Sequence, residues 1–170
     1  IGLFTDTYLP YISGLVTSVD MLRKSLEKLG HTVYIVTANL ESFHYDYDKK
    51  ERVLKIPGVP TGIYDSRLTG IYPVRAIKII RSWNLDIIHS QTEFGIGTFA
   101  RILARQYNIP IVHTYHTMYE DYTHYFNPLD FDSVEKLGKS VIRTFSRVMA
   151  NGSQAVIAPS EKTKQALLQY

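Results

Sequence analysis

Two histidines stand three positions apart in His113-Thr-Tyr-His116, directly after the apolar pair Ile111-Val112. Imidazole titrates near neutrality, so such a pair suggests metal binding, proton handling or hydrogen bonding to a ligand. Residues three apart in a strand face opposite sides, which places this pair poorly for a shared metal unless the strand ends between them. With no cysteine in the chain, thiolate metal sites and disulfides are excluded as well. Two readings remain: satisfied core histidines, or a structural His113 with His116 just past the strand end, hydrogen-bonding or stabilising charge on a ligand. A second polar cluster, Ser90-Gln91-Thr92-Glu93, leaves the run Asp86-Ile-Ile-His89 and enters Phe94-Gly-Ile-Gly97. Gln91 and Glu93 could meet a ligand there. Equally, Thr92 could cap the next helix and Glu93 favour its first turn, with His89 buried at the strand end.

Gly14 is the third position of interest, in the tract Tyr8-Leu-Pro-Tyr-Ile-Ser-Gly-Leu-Val16. A strand that passes through a glycine-bearing turn into a helix brings backbone N–H groups to a helix N-terminus, where the dipole favours a phosphate-bearing substrate. One glycine fits an ordinary tight turn equally well.

Basic side chains recur at helical period in two places. Lys136, Lys139, Arg143 and Arg147 share one side of the segment 133–150; Arg75, Lys78 and Arg81 share one side of 73–83, with Ile79, Ile80 and Trp83 opposite. Each set reads as a solvated face or as a surface for anionic lipid, at roughly 1 kcal/mol per well-placed basic residue. Nucleic acid is the weaker partner, because the net charge is only +3 and no recognition module is visible.

The elements that must position these groups follow from the alternation of apolar, β-branched runs with helix-period segments. Residues 1–5, 32–37, 53–56, 86–89, 110–114 and 155–158 read as strands, and 13–29, 73–83, 94–107, 133–150 and 160–168 as helices. Repeated βα units with continuous apolar strands imply an α/β, doubly wound, Rossmann-like domain with a mostly parallel sheet covered on both faces. Ligands bind beyond the carboxyl ends of such strands, which directs attention to 6–14, 38–50, 90–97 and 115–132. Segments 39–52 and 57–72 read as surface connections.

At 170 residues with 45% hydrophobic and 21% charged residues, the composition is that of one globular domain, 1–170. No run approaches the roughly 18 to 20 apolar residues of a membrane span, so any membrane contact is expected to be peripheral. The absence of cysteine fits a reducing, cytoplasmic setting. Since the chain opens on Ile1 and stops within a helical pattern, it is expected to be a piece of a longer protein.

The order of motifs resembles the N-terminal half of a retaining, GT-B type glycosyltransferase of family four. The residues that carry the resemblance are Asp6-Thr-Tyr-Leu-Pro-Tyr-Ile-Ser-Gly14, Leu26-Glu-Lys-Leu-Gly-His31-Thr-Val, Asp86-Ile-Ile-His-Ser-Gln91, Tyr115-His-Thr and Ala158-Pro-Ser160-Glu. Within that family, the tracts around Gly14, Gln91 and His116 look like those of bacterial glucosyltransferases that build glycolipids on diacylglycerol. The resemblance implies transfer of glucose from UDP-glucose to diacylglycerol with retention, with Gly14 against the donor diphosphate and His116, the candidate catalytic residue, near the transferred sugar. It places Gln91 and Glu93 on the acceptor side and requires no metal or other cofactor. It further implies an acceptor-binding domain that is inactive without a second, donor-binding domain, and attachment to the inner face of the cell membrane. Many relatives carry a second glycine where Leu15 stands and a histidine where Gln91 stands. Another acceptor, such as phosphatidylinositol or a soluble sugar, or a nonenzymatic nucleotide- or lipid-binding role on the same fold, are the alternatives.

Overall fold

Every residue of the first strand, β1 (Gly2–Thr5), is buried, so β1 must lie centrally in a sheet covered on both faces. The computed structural model, which describes residues 1–60, 67–70, 72–116, 144, 147–148 and 150–169, shows this arrangement. β1 pairs in parallel with β2 (Tyr34–Asn39) on one side and β6 (Ile88–Ser90) on the other. β4 (Val53–Pro60) continues the sheet beyond β2, while β7 (Ile111–Thr114) and β8 (Ala155–Ile157) continue it beyond β6, all parallel. β3 (Asp46–Asp48) closes one edge antiparallel to β4, giving the order β3-β4-β2-β1-β6-β7-β8. β5 (Arg67–Thr69) pairs antiparallel with the far end of β4.

Alternation along β1 sends Phe4 and Leu3 into different cores. Phe4 joins Val36, Leu54 and Ile56 beneath α2 (Val74–Arg81) and α3 (Gly95–Tyr107), which contribute Ile77, Ile80, Phe99 and Leu103. Leu3 joins Ile35, Val33 and Val53 beneath α1 (Gly14–Lys28), which contributes Val19. Close packing explains Gly2: a Cβ there would lie 2.7 Å from Leu85 Cδ1.

The structure departs from the sequence reading at the β4 side. The segment 39–52 contains β3, and 57–72 contains the end of β4 and β5. A three-residue Asp-Tyr-Asp strand has no apolar period to reveal it, and Pro57, Gly58 and Pro60 read as turn residues although they carry β4 past β3 to pair with β5. In α2 the buried residues are Ala76, Ile77 and Ile80, with Ile79 and Trp83 only partly buried against the same core. Arg75, Lys78 and Arg81 are exposed as expected, but two of them lie against aromatic rings: Arg75 over Tyr45 at 5.3 Å and Arg81 over Tyr107 at 5.4 Å. Of the second basic set, Arg147 is helical and exposed, whereas Lys136, Lys139 and Arg143 lie outside the described residues.

Candidate functional site

The chain leaves β1 toward β2 on one side and reaches β6 on the other, so the connections diverge above the carboxyl ends of β1 and β6. That is the place where open α/β sheets bind ligands. Three turns meet there: the one after β1, the one between β6 and α3, and the one after β7.

After β1, Ser13 is the N-cap of α1, and its Oγ accepts from Val16 N at 3.2 Å. Gly14 is the first residue of α1; it is exposed, and a Cβ built on it would meet nothing within 4 Å. Among the described residues no neighbour therefore demands glycine here. Leu9 and Ile12 of the same turn are 45% and 93% exposed.

Asp6 opens this turn, and no local sequence pattern marks its role. Its Oδ1 accepts from Ile96 N at 2.9 Å, capping α3 from 90 positions away. The local N-cap residue is Phe94, which makes no side-chain cap bond, so the alternative of Thr92 as the cap does not hold. Gly95 at φ +26° leaves room for this carboxylate, since a Cβ would lie 2.9 Å from Asp6 Oδ1. At Gly97 a Cβ would collide with the Thr92 carbonyl. Burial holds the Asp6 carboxyl above its ordinary range, against the opposing bond from Ile96.

Parallel pairing of β6 with β7 sets Ser90 opposite His113. The His113 ring is fully buried; its Nδ1 lies 3.1 Å from Ser90 O, and because a carbonyl only accepts, Nδ1 carries the proton. Its Nε2 lies 3.2 Å from Glu93 Oε1, a charge contact when the ring is protonated, though off the angle of a hydrogen bond. Glu93 is itself only 2% exposed. Ser90 Oγ donates to Thr92 O at 2.8 Å, and Arg101 Nη1 donates to Gly97 O at 3.0 Å. Arg101 is buried, which lowers its guanidinium pKa.

His116 stands two residues past the end of β7 and is half-buried. Its Nε2 donates to Gln91 Oε1 at 2.8 Å. The Gln91 backbone is fixed in turn, its N–H donating to Phe4 O at 2.8 Å. Burial lowers the His116 pKa; Glu93 opposes that shift and His113 adds to it. In β6, His89 lies buried with Nε2 2.7 Å from Thr114 Oγ1, and burial, reinforced by His113 and His116, depresses its pKa to about 4.

Gln91, Glu93, His113 and His116 thus converge at the heads of β6 and β7, with Gly14 on the separate turn above β1. Among the described residues no group of three or more His, Cys, Asp or Glu side chains could hold a metal. A cavity of about 390 Å³ between the C-terminal ends of α2 and α3, lined by Arg81, Leu85 and Tyr107 among others, lies at the opposite end of the sheet.

Residues 12–170 match the family model for Glycosyltransferase Family 4. The chain is 38% identical, over its full length, to the alpha-monoglucosyldiacylglycerol synthase of Streptococcus pneumoniae, of which it covers 37%. It is 34% identical to the protein of the same name from Acholeplasma laidlawii, over 95% of this chain and 41% of that one. A GDP-mannose-dependent alpha-mannosyltransferase of Corynebacterium glutamicum is 24% identical over 92% of this chain and 38% of its own length. The chain therefore spans about two fifths of the curated relatives it matches.

Proposed function

Since the chain belongs to glycosyltransferase family 4, we propose that it is the acceptor-side domain of a membrane-associated enzyme that transfers glucose from UDP-glucose to diacylglycerol with retention, in glycolipid synthesis. The observation that carries this reading is the identity to two alpha-monoglucosyldiacylglycerol synthases along nearly the whole chain. Apolar side chains at the crevice suit an acylated acceptor: Leu9 and Ile12 beside Gly14, and Phe94, 50% exposed, at the head of α3.

Glycosyl transfer needs stabilisation of a departing diphosphate and of positive charge developing on the sugar. In this reading the N-terminus of α1 at Gly14 faces the diphosphate, with the open space at its Cα leaving room for phosphate oxygens. His116 sits near the transferred sugar, kept neutral by burial so that it hydrogen-bonds without repelling the developing cation. Gln91 and Glu93 lie beneath the crevice surface and act on the acceptor side through the groups they hold. The nucleotide is held chiefly by a second domain, so residues 1–170 alone are inactive.

No helix among the described residues is long and apolar enough to cross a membrane. Contact with an anionic inner membrane face would run through the exposed Arg75, Lys78, Arg81 and Arg147, joined by Lys136, Lys139 and Arg143. The test is transfer of labelled glucose from UDP-glucose by the full-length protein in mixed micelles. Lipid-soluble label that depends on diacylglycerol is expected; label found only in water-soluble products would refute the reading.

A further inference from the structure

Gln91 is 2% exposed, and its Nε2 is buried with no hydrogen-bond partner among the described residues. A carboxamide so enclosed cannot touch an acceptor without displacing its neighbours. Its Oε1 instead lies 2.8 Å from Nε2 of the half-buried His116, while its backbone is tied to Phe4 of the central strand. We propose that Gln91 is a positioning residue: its amide oxygen fixes His116 as the Nε2–H tautomer and leaves Nδ1 as the ring's free acceptor for a hydroxyl of the reacting sugar or acceptor.

This rests on the assignment of His116 to the reaction centre and adds how that ring is oriented. The anchor is rigid because Gln91 extends the β1–β6 pairing. His116 hangs beyond the last paired residue of β7, and among the described residues it is the Gln91 contact that selects which ring nitrogen faces inward. Among the described residues the titratable groups that face His116 are Glu93, from the turn between β6 and α3, and His113, from β7; His89 of β6 interacts with it more remotely. Burial keeps the ring neutral near pH 7, the state in which one nitrogen donates and the other accepts.

The experiment uses the full-length enzyme and reads kcat/KM against pH. Gln91→Glu places a carboxylate on Nε2–H, which stabilises the imidazolium and should move the acid limb upward by about one pH unit. Gln91→Met removes the acceptor and should lower turnover about tenfold, with the acid limb not raised and the acceptor KM unchanged. In the unmodified protein, histidine-selective ¹⁵N spectra should show the Nε2–H tautomer for His116, a readout that needs no variant to fold. An Nδ1–H tautomer, or activity lost in Gln91→Glu with the limb unmoved, would overturn the proposal; a raised acceptor KM in Gln91→Met would make Gln91 an acceptor-binding group instead. Should His116→Ala retain full turnover, the failure would lie with the reaction-centre assignment itself.

Discussion

His113 and His116 are three positions apart yet occupy different environments. The first is fully buried between Ser90 O and Glu93; the second is half-buried beyond the strand, on Gln91. Replacing His116 with alanine in the full-length enzyme should therefore lower turnover by about 10²-fold or more, the scale of a lost preorganised polar contact, with the melting temperature retained. His113→Ala should act chiefly through stability, since it empties a fully buried ring site and removes the Nδ1–H bond to Ser90 O. Equal turnover losses from both, with unchanged melting, would show that the two roles are divided wrongly. The strand end between the two histidines was legible in the sequence because the apolar run Ile111-Val112 stops just before the first of them. The partners were not: which side chain meets which depends on the parallel register that puts Ser90 opposite His113, and no local pattern encodes a register between residues 23 positions apart.

At the scale of elements, the α/β alternation was visible because each long strand is buried and each long helix carries an apolar stripe. β3 and β5 were not, since three residues without a period acquire strand geometry only by pairing with β4. The cap of α3 was hidden for a related reason. Its donor and acceptor, Ile96 N and Asp6 Oδ1, come from elements joined only through the sheet. Asp6→Ala should destabilise the domain by about 1–2 kcal/mol, whereas Asp6→Asn keeps an acceptor oxygen and should lose less; urea denaturation distinguishes them. Equal losses would mean that charge, rather than the cap, is what Asp6 supplies. On α2, changing Arg75, Lys78 and Arg81 to glutamine should weaken cosedimentation with anionic vesicles, and raised salt should do the same to the parent protein. Neutral vesicles should respond little. Binding unmoved by both treatments would make this a solvated face.

For the whole molecule, buried His89 works against folding in acid. His89 has its pKa depressed from 6.5 to about 4, so between those values the unfolded chain binds more protons than the folded one. Stability is then fully present above about pH 6.5 and falls as pH drops toward 4, by roughly 3 kcal/mol for a shift of about 2.5 units at 1.36 kcal/mol each. His89→Gln, which cannot titrate, should flatten that part of the curve when urea midpoints are compared at pH 7.5 and 5. An unaltered slope would place the acid sensitivity elsewhere.

Neither a rival acceptor nor a binding-only role would yield a glucosyl diacylglycerol. Full-length enzyme supplied with UDP-glucose and diacylglycerol should yield a glucosyl diacylglycerol whose anomeric proton, by NMR, reports the α linkage of the donor retained. A β-linked product, preferential transfer from GDP-mannose, or no glycosylated diacylglycerol at all would contradict the account.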